Sequence, residues 1–253
     1  MVNLIVDNKS FNNIKLVVFD KDGTLFDLHK YWAFVIKQRA IFFSDKYKSS
    51  CVLNLLDELT KVMGLVDENY ISKKGPIGIH PRSHIVNIVH KKLNSYEFEI
   101  ERKDVEEGFI NVDEIVDQNL NHLVEKLPGV DYLLSILKNL GCYIALATTD
   151  VSQRTSKTLK YAGIGTSFDC LISSDQVKKS KPNSEMIEKI ISNFTDINNS
   201  QVLLIGDSIA DVNLAKNAGI HFIGVKTGTN ADDFLIASDI LVENLSDIIV
   251  ESK

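Results

Sequence analysis

Two aspartates one residue apart, Asp20 and Asp22 in the run VVFDKDGTLFD, are the residues of this chain best placed to do chemistry. They follow an apolar stretch, Ile14 to Phe19, that reads as a buried parallel strand running into a turn at Gly23. In open α/β sheets ligands bind beyond the carboxyl ends of the strands, so both carboxyl groups would face a site rather than a core. Carboxylates this close raise one another's pKa, and a cation, a shared proton or a basic neighbour must offset the repulsion. A plainer alternative is a turn, with Asp20 as its cap and Asp22-Gly23 as an Asp-Gly bend. The ends of the later strands decide between the two.

Three of those ends carry complementary groups. The run YIALA ends in Thr148, Thr149 and Asp150. The run VLLI ends in GDSIAD, which sets Asp207 at a strand terminus and Asp211 one helical turn later on the same face. Between them, Lys181 precedes Pro182 in KSKPNSEM, where a helix is predicted to open and its N-terminus to favour an anion. Asp20, Asp22, Asp207 and Asp211 together make a hard oxygen site suited to Mg²⁺. Lys181 and a threonine hydroxyl supply donors for phosphoryl oxygens, and one carboxylate is free to attack phosphorus.

These four runs, DKDGTLFD, the strand ending in Thr148, Lys181-Pro182 and GDSIAD, resemble in order the four signatures of the haloacid dehalogenase superfamily, in its phosphatase branch. The resemblance implies a nucleophilic Asp20 that forms an aspartyl-phosphate, and an Asp22 that protonates the leaving oxygen and then activates water. It implies that the backbone carbonyl of Asp22 ligates Mg²⁺ with Asp20 and Asp207, that Asp211 acts through water or as a supporting carboxylate, and that Thr148 and Lys181 hold the phosphoryl group. Dehalogenases of the superfamily lack an aspartate at the position of Asp22, so the reaction implied is phosphate hydrolysis. A sugar phosphomutase of the β-phosphoglucomutase type is the alternative, and a non-catalytic phosphoryl-binding module a more distant one. Lys21 stands where an apolar or aromatic residue is usual and, by strand alternation, is expected to face away from the phosphate. Thr149 replaces a frequent asparagine, and Ser184 a second proline.

The elements that position these residues alternate between strand and helix from Pro128 onward. Helical patterns cover Val130 to Leu140, Ser152 to Tyr161 and about Ile209 to Asn217, with a further helix from Pro182 and a last short one near the end. Strand patterns cover Cys142 to Ala147, Cys170 to Ile172, Val202 to Ile205, Phe222 to Val225 and Ile240-Leu241. The class is therefore α/β, a mostly parallel Rossmann-like sheet covered by helices on both faces. Residues 27–127 break the rhythm with helical patterns over Tyr31 to Tyr47, Cys51 to Met63, His84 to Leu93 and Val105 to Lys126. The expected organisation is a core of 1–26 and 128–253 carrying a helical cap of 27–127, with hinges near Phe26 to Leu28 and Leu127 to Gly129.

A cap so placed resembles that of the phosphoglycolate phosphatase and β-phosphoglucomutase group, where it closes over the site and recognises the leaving group. The loop KKGPIGIHPRSH, Lys73 to His84, carries five basic or imidazole groups and no acid, which suits an anionic or hydroxylated leaving group. His80 and Arg82, with Thr149 in the core, are the candidate substrate contacts; a solvated connection is the plain alternative for the loop. Trp32, Phe34, Phe42 and Phe43 recur near helical spacing and read as cap core. Phosphoglycolate, a sugar phosphate, a nucleotide or pyrophosphate would each satisfy the core chemistry.

Composition narrows the class further. Hydrophobic residues make up 44% and charged residues 25% of 253, ordinary for a soluble globular chain. The three cysteines, Cys51, Cys142 and Cys170, are odd in number and far apart, which suits reduced, packed thiols. A net charge of −6 disfavours nucleic acid as a partner. Neither a membrane span nor a signal segment is evident, so the expectation is a cytoplasmic monomer or homodimer acting on a small phosphorylated metabolite.

Overall fold

The protein is described from a computed structural model that covers residues 1–47, 54–72, 75–77, 80–96, 98–228 and 240–252. Its first strands, β1 (Val2–Val6) and β2 (Lys9–Ile14), form an antiparallel hairpin. Val6 pairs with Lys9 across the two-residue turn Asp7-Asn8, and Asp7 takes the positive φ of 51° that such turns require. The sequence reading assigned no element to this hairpin. Next comes β3 (Leu16–Phe19), buried along its whole length, as expected for a strand covered on both faces.

Contacts divide the chain into two compact units, Met1–Asp27 with Glu125–Lys253, and Leu28–Val124. The second unit is built from α1 (Leu28–Lys46), α2 (Leu55–Met63), a small hairpin of β4 (Leu65–Asp67) and β5 (Tyr70–Ile71), α3 (Arg82–Asn94), α4 (Arg102–Gln118) and the single turn α5 (Leu120–Leu123). Its own core gathers Trp32, Ile36, Phe43, Leu59, Val89, Phe109 and Val112, with Phe34 and Phe42 packed at the margin. The approach of α1 to α4 depends on Gly108, where a Cβ would lie 2.6 Å from the ring tip of Phe43. The β4–β5 hairpin went unread in the sequence because two- and three-residue strands carry too little alternation to register. Helix α4 begins at Arg102, three residues before the helical pattern read from Val105, and is capped reciprocally by Glu101 and Asp104. Cys51, Lys73 and Lys74 lie outside the described residues.

The chain returns through α6 (Val130–Asn139), β6 (Tyr143–Thr148), α7 (Ser152–Tyr161), β7 (Cys170–Ser173), α8 (Glu185–Ile191), β8 (Val202–Gly206), α9 (Ile209–Ala218), β9 (His221–Val225), β10 (Leu241–Val242) and β11 (Ile249–Ser252). Six strands make an all-parallel sheet in the order β10-β9-β8-β3-β6-β7. Where a last helix was expected there is a 3₁₀ turn at Leu245–Asp247 followed by β11, which pairs with β1 and completes a three-stranded antiparallel sheet. No helix among the described residues is long and apolar enough to cross a membrane.

Candidate active site

Strand register brings the site together. Central β3 has β6 on one side and β8 on the other, with Phe19 level with Leu146 and with Ile205. The Asp20 amide continues the ladder by donating to the Ile205 carbonyl at 2.9 Å. Asp20, Thr148 and Asp207 therefore emerge together at the carboxyl edge. From β3 the chain builds outward through β6 and β7, then crosses to β8, β9 and β10 on the opposite side, so these groups stand at the switch point where α/β sheets bind ligands.

Carboxylate oxygens of Asp20, Asp207 and Asp211 all lie within 4.8 Å of one another, and all three residues are buried. One ammonium serves them: Lys181 Nζ donates to Asp20 Oδ1 at 2.5 Å and to Asp211 Oδ1 at 2.6 Å. The Thr24 hydroxyl donates to Asp207 Oδ1 at 3.1 Å. Asp211 is fixed from behind, because its Oδ2 accepts from the Ser208 hydroxyl at 2.6 Å and the Ser208 amide at 3.1 Å in the capping box that opens α9. Two glycines make room: a Cβ on Gly206 would sit 2.6 Å from Asp211 Cγ, and one on Gly228 would sit 2.0 Å from Asp207 Oδ2.

Three carboxylates against one ammonium leave excess negative charge, and the titration behaviour reflects it. Burial pushes Asp20 up from 3.8 to about 6, opposed by Lys181 and reinforced by Asp211. Asp207 is raised well above the ordinary range by burial, then by Asp20 and Asp211. Burial alone would lower Lys181, but Asp20 and Asp211 outweigh it and hold the ammonium charged. An all-oxygen, over-charged cluster with glycine clearance on two sides has the donor chemistry of a hard divalent cation site. Asp22, whose assigned metal contact is through its backbone carbonyl, contributes no carboxylate to the three.

The other sequence candidates are placed as follows. Asp22 is nearly buried; its Oδ1 lies 3.1 Å from Lys21 Nζ, and burial raises its pKa against the pull of that lysine. Thr148 is buried, its hydroxyl accepting from the Asp150 amide at 3.1 Å, and Thr149 beside it is half-buried. Lys181 does not open a helix as expected. Helix α8 starts at Glu185, whose carboxylate instead accepts from the amides of Lys178 and Lys179, both at 2.8 Å, and so holds the preceding loop. His80 and Arg82 belong to the helical unit. There Arg82 pairs with Asp113 and lies 5.5 Å from the Phe109 ring centroid, while exposed His80 packs its ring 4.2 Å from that of His84. Burial and then the His84 charge lower the pKa of His80.

Sequence reasoning missed Thr24, the two clearance glycines, and a buried network of Lys21, Asp150 and Arg154. Lys21 Nζ donates to Asp150 Oδ2 at 2.7 Å, and Arg154 Nε donates to both Asp150 oxygens at 2.7 and 3.0 Å. Burial would raise Asp150, but Arg154 and Lys21 prevail and hold it well below the usual carboxylate range. Its one available signal was the i, i+4 spacing of Asp150 and Arg154 at the start of α7.

The chain has relatives among known proteins. The chain is similar to the pyrophosphatase PpaX of Bacillus velezensis, 30% identical over 131 residues, 51% of this chain and 60% of that one. It thus spans less than two thirds of that relative's length. It is 24% identical over 224 residues to the phosphoglycolate phosphatase of Neisseria gonorrhoeae, covering 87% of this chain and 84% of the relative. In fold it is similar to a crystal structure described as a predicted phosphoglycolate phosphatase from Haemophilus somnus, with a TM-score of 0.72 and 18% identity over 93% of this chain and 96% of the other. A family model for haloacid dehalogenase-like hydrolases matches residues 17–225. That span takes in the ends of β3, β6 and β8 and the Lys181 loop, every segment that supplies a charged group to the carboxylate cluster, and the chain belongs to that family.

Proposed function

We propose that this protein is a Mg²⁺-dependent phosphatase that hydrolyses a small phosphorylated metabolite through an aspartyl-phosphate on Asp20. The observation that carries the reading is the buried Asp20–Lys181–Asp211 arrangement with Asp207 beside it, at the switch point of the sheet. Asp20, Asp207 and the backbone carbonyl of Asp22 would hold Mg²⁺, supported by Asp211. Bound there, the cation would offset the negative charge of the phosphoryl oxygens.

An Asp20 oxygen attacks phosphorus as the bond to the leaving oxygen breaks. Lys181 and Thr148 orient the phosphoryl group, and Asp22 passes its proton to the departing oxygen. Burial of Asp22 favours the protonated form that this step needs. The Asp22 carboxylate then takes a proton from water, whose oxygen attacks phosphorus, and cleavage of the bond to Asp20 releases inorganic phosphate. Thr149, and His80 and Arg82 of the helical unit, are the residues proposed to recognise the remainder of the substrate. The relatives' activities point to pyrophosphate and phosphoglycolate as the first compounds to try.

The test is release of inorganic phosphate from a panel of phosphorylated metabolites, with Mg²⁺ or with chelator, for the wild type and Asp20→Asn. The expected result is Mg²⁺-dependent turnover on some members of the panel and none in the variant. Undiminished turnover by Asp20→Asn, or none by the wild type on any phosphate ester, would overturn the proposal.

A further inference from the structure

We propose that Lys21, anchored by the Asp150–Arg154 pair, is a positioning residue that fixes the Asp22 carboxyl for proton transfer to the leaving oxygen; this rests on the phosphatase reading above. The sequence pattern alone gives Lys21 no partner at the site. In the structure its side chain is completely buried, with Nζ 2.7 Å from Asp150 Oδ2 and 3.1 Å from Asp22 Oδ1.

A buried ammonium carries a large desolvation penalty, and a whole buried ion-pair set replaced by apolar residues of similar volume is often as stable or more so. Packing alone therefore does not explain a charged Lys21–Asp150–Asp22 set here. The geometry does, since the ammonium bridges one carboxylate that is rigidly held and one that is not. Asp150 is the rigid one. Arg154 grips it through Nε at 2.7 and 3.0 Å and through a terminal nitrogen at 2.7 Å, the Val151 amide donates to it at 2.8 Å, and the Asp150 carbonyl accepts the Ser174 amide at 3.0 Å. Asp22 is held by its backbone environment, where Gly23 donates to the Phe26 carbonyl at 2.8 Å, and Lys21 reaches its Oδ1. Occupying Oδ1 selects one rotamer of a short side chain and leaves Oδ2 to exchange the proton. The same Asp150 donates its amide to the Thr148 hydroxyl at 3.1 Å, so one anchor sets both the acid and a phosphoryl-binding threonine.

The discriminating measurement is kcat/KM on two substrates, because it reports events only through phosphoryl transfer to Asp20 and loss of the leaving group. p-Nitrophenyl phosphate expels a weakly basic oxygen that needs little proton assistance, whereas an alkyl phosphate such as glycerol phosphate expels a strongly basic one. General acid catalysis contributes about 10²–10⁴-fold, so Asp22→Asn should lose at least ten-fold more on the alkyl than on the aryl substrate. Lys21→Met should show the same selectivity, about 10- to 100-fold, with circular dichroism and metal-dependent thermal shift matching the wild type; Lys21→Arg should recover part of the alkyl activity. Asp150→Asn, which weakens the anchor without removing the lysine, should show it too and serves where Lys21→Met fails to fold. If Asp22→Asn is selective but folded Lys21→Met or Asp150→Asn loses equally on both substrates, or on neither, the inference is wrong while the role of Asp22 stands. If Asp22→Asn is not selective, the acid assignment falls and the inference with it.

Discussion

Replacing Asp20 by asparagine should abolish turnover and, in metal-free buffer, make the folded protein more stable. Asp20 is only 8% exposed, and its carboxyl is pushed from 3.8 to about 6, by burial first, with Lys181 opposing and Asp211 and Asp22 adding repulsion. An acid whose folded pKa is raised takes up a proton on folding, so its ionisation works against the native state. Below about pH 4 both states are protonated and the penalty is absent; it grows between pH 4 and 6 and is complete above about 6. At about 1.4 kcal/mol for each pH unit in that interval, the ionised carboxylate costs about 3 kcal/mol. Asparagine keeps a carbonyl oxygen for Lys181 Nζ and removes the charge, so a gain of about 1–3 kcal/mol is expected at pH 7.5, vanishing toward pH 4. Urea unfolding in chelator at pH 4, 5.5 and 7.5, compared through midpoints at constant m-value, measures it. Mg²⁺ should narrow or reverse the order by stabilising the wild type more than the variant. A destabilised variant, or a gain that does not change with pH, would refute the account of the cluster as over-charged.

Gly228→Ala would drive a methyl group against the Asp207 carboxylate; the expected result is a Mg²⁺ requirement raised about 10-fold or more with the fold intact, read from activity against metal concentration. Gly108→Ala places a Cβ 2.6 Å from Phe43 and should destabilise the helical unit by about 1–3 kcal/mol, measured by chemical denaturation. Arg82→Gln separates two roles: as a substrate contact it should raise KM on the physiological substrate with little change in kcat, whereas a purely structural Arg82–Asp113 pair would leave KM in place and lower the unfolding midpoint.

Much of the site was legible because its chemistry sits at strand ends. A run such as VVFD announces both a buried strand and the position of its first polar residue, and four such runs in order constrain one another. Side-chain partnerships across the sheet were not legible. Lys21 shows why: strand alternation indicates where a Cβ points but not where a four-carbon stem carries its charge, and this ammonium finds Asp150, 129 positions away. The helix assigned to Pro182 begins instead at Glu185, whose carboxylate holds the amides of Lys178 and Lys179, contacts that no local pattern announces. At the termini, β1 and β11 pair with each other, so neither flank alone carries the pattern that identifies them. The Asp7-Asn8 turn was a readable signal of the first hairpin.

The chain leaves the sheet unit at Asp27 and returns at Glu125, and those two residues are joined directly, amide of Asp27 to carbonyl of Glu125 at 2.9 Å, beside a bridge between Phe26 and Lys126. For the sheet, the ninety-odd intervening residues are a single closed loop whose two feet stand one strand spacing apart. Loop-closure entropy grows only with the logarithm of length, about 0.6 kcal/mol per doubling, so the sheet is almost indifferent to what the loop contains. Closure therefore sets no narrow limit on the size of the lobe carried on these two feet. With His80 and Arg82 of the helical unit proposed to recognise the substrate, reaction and selectivity become separately heritable properties of one chain.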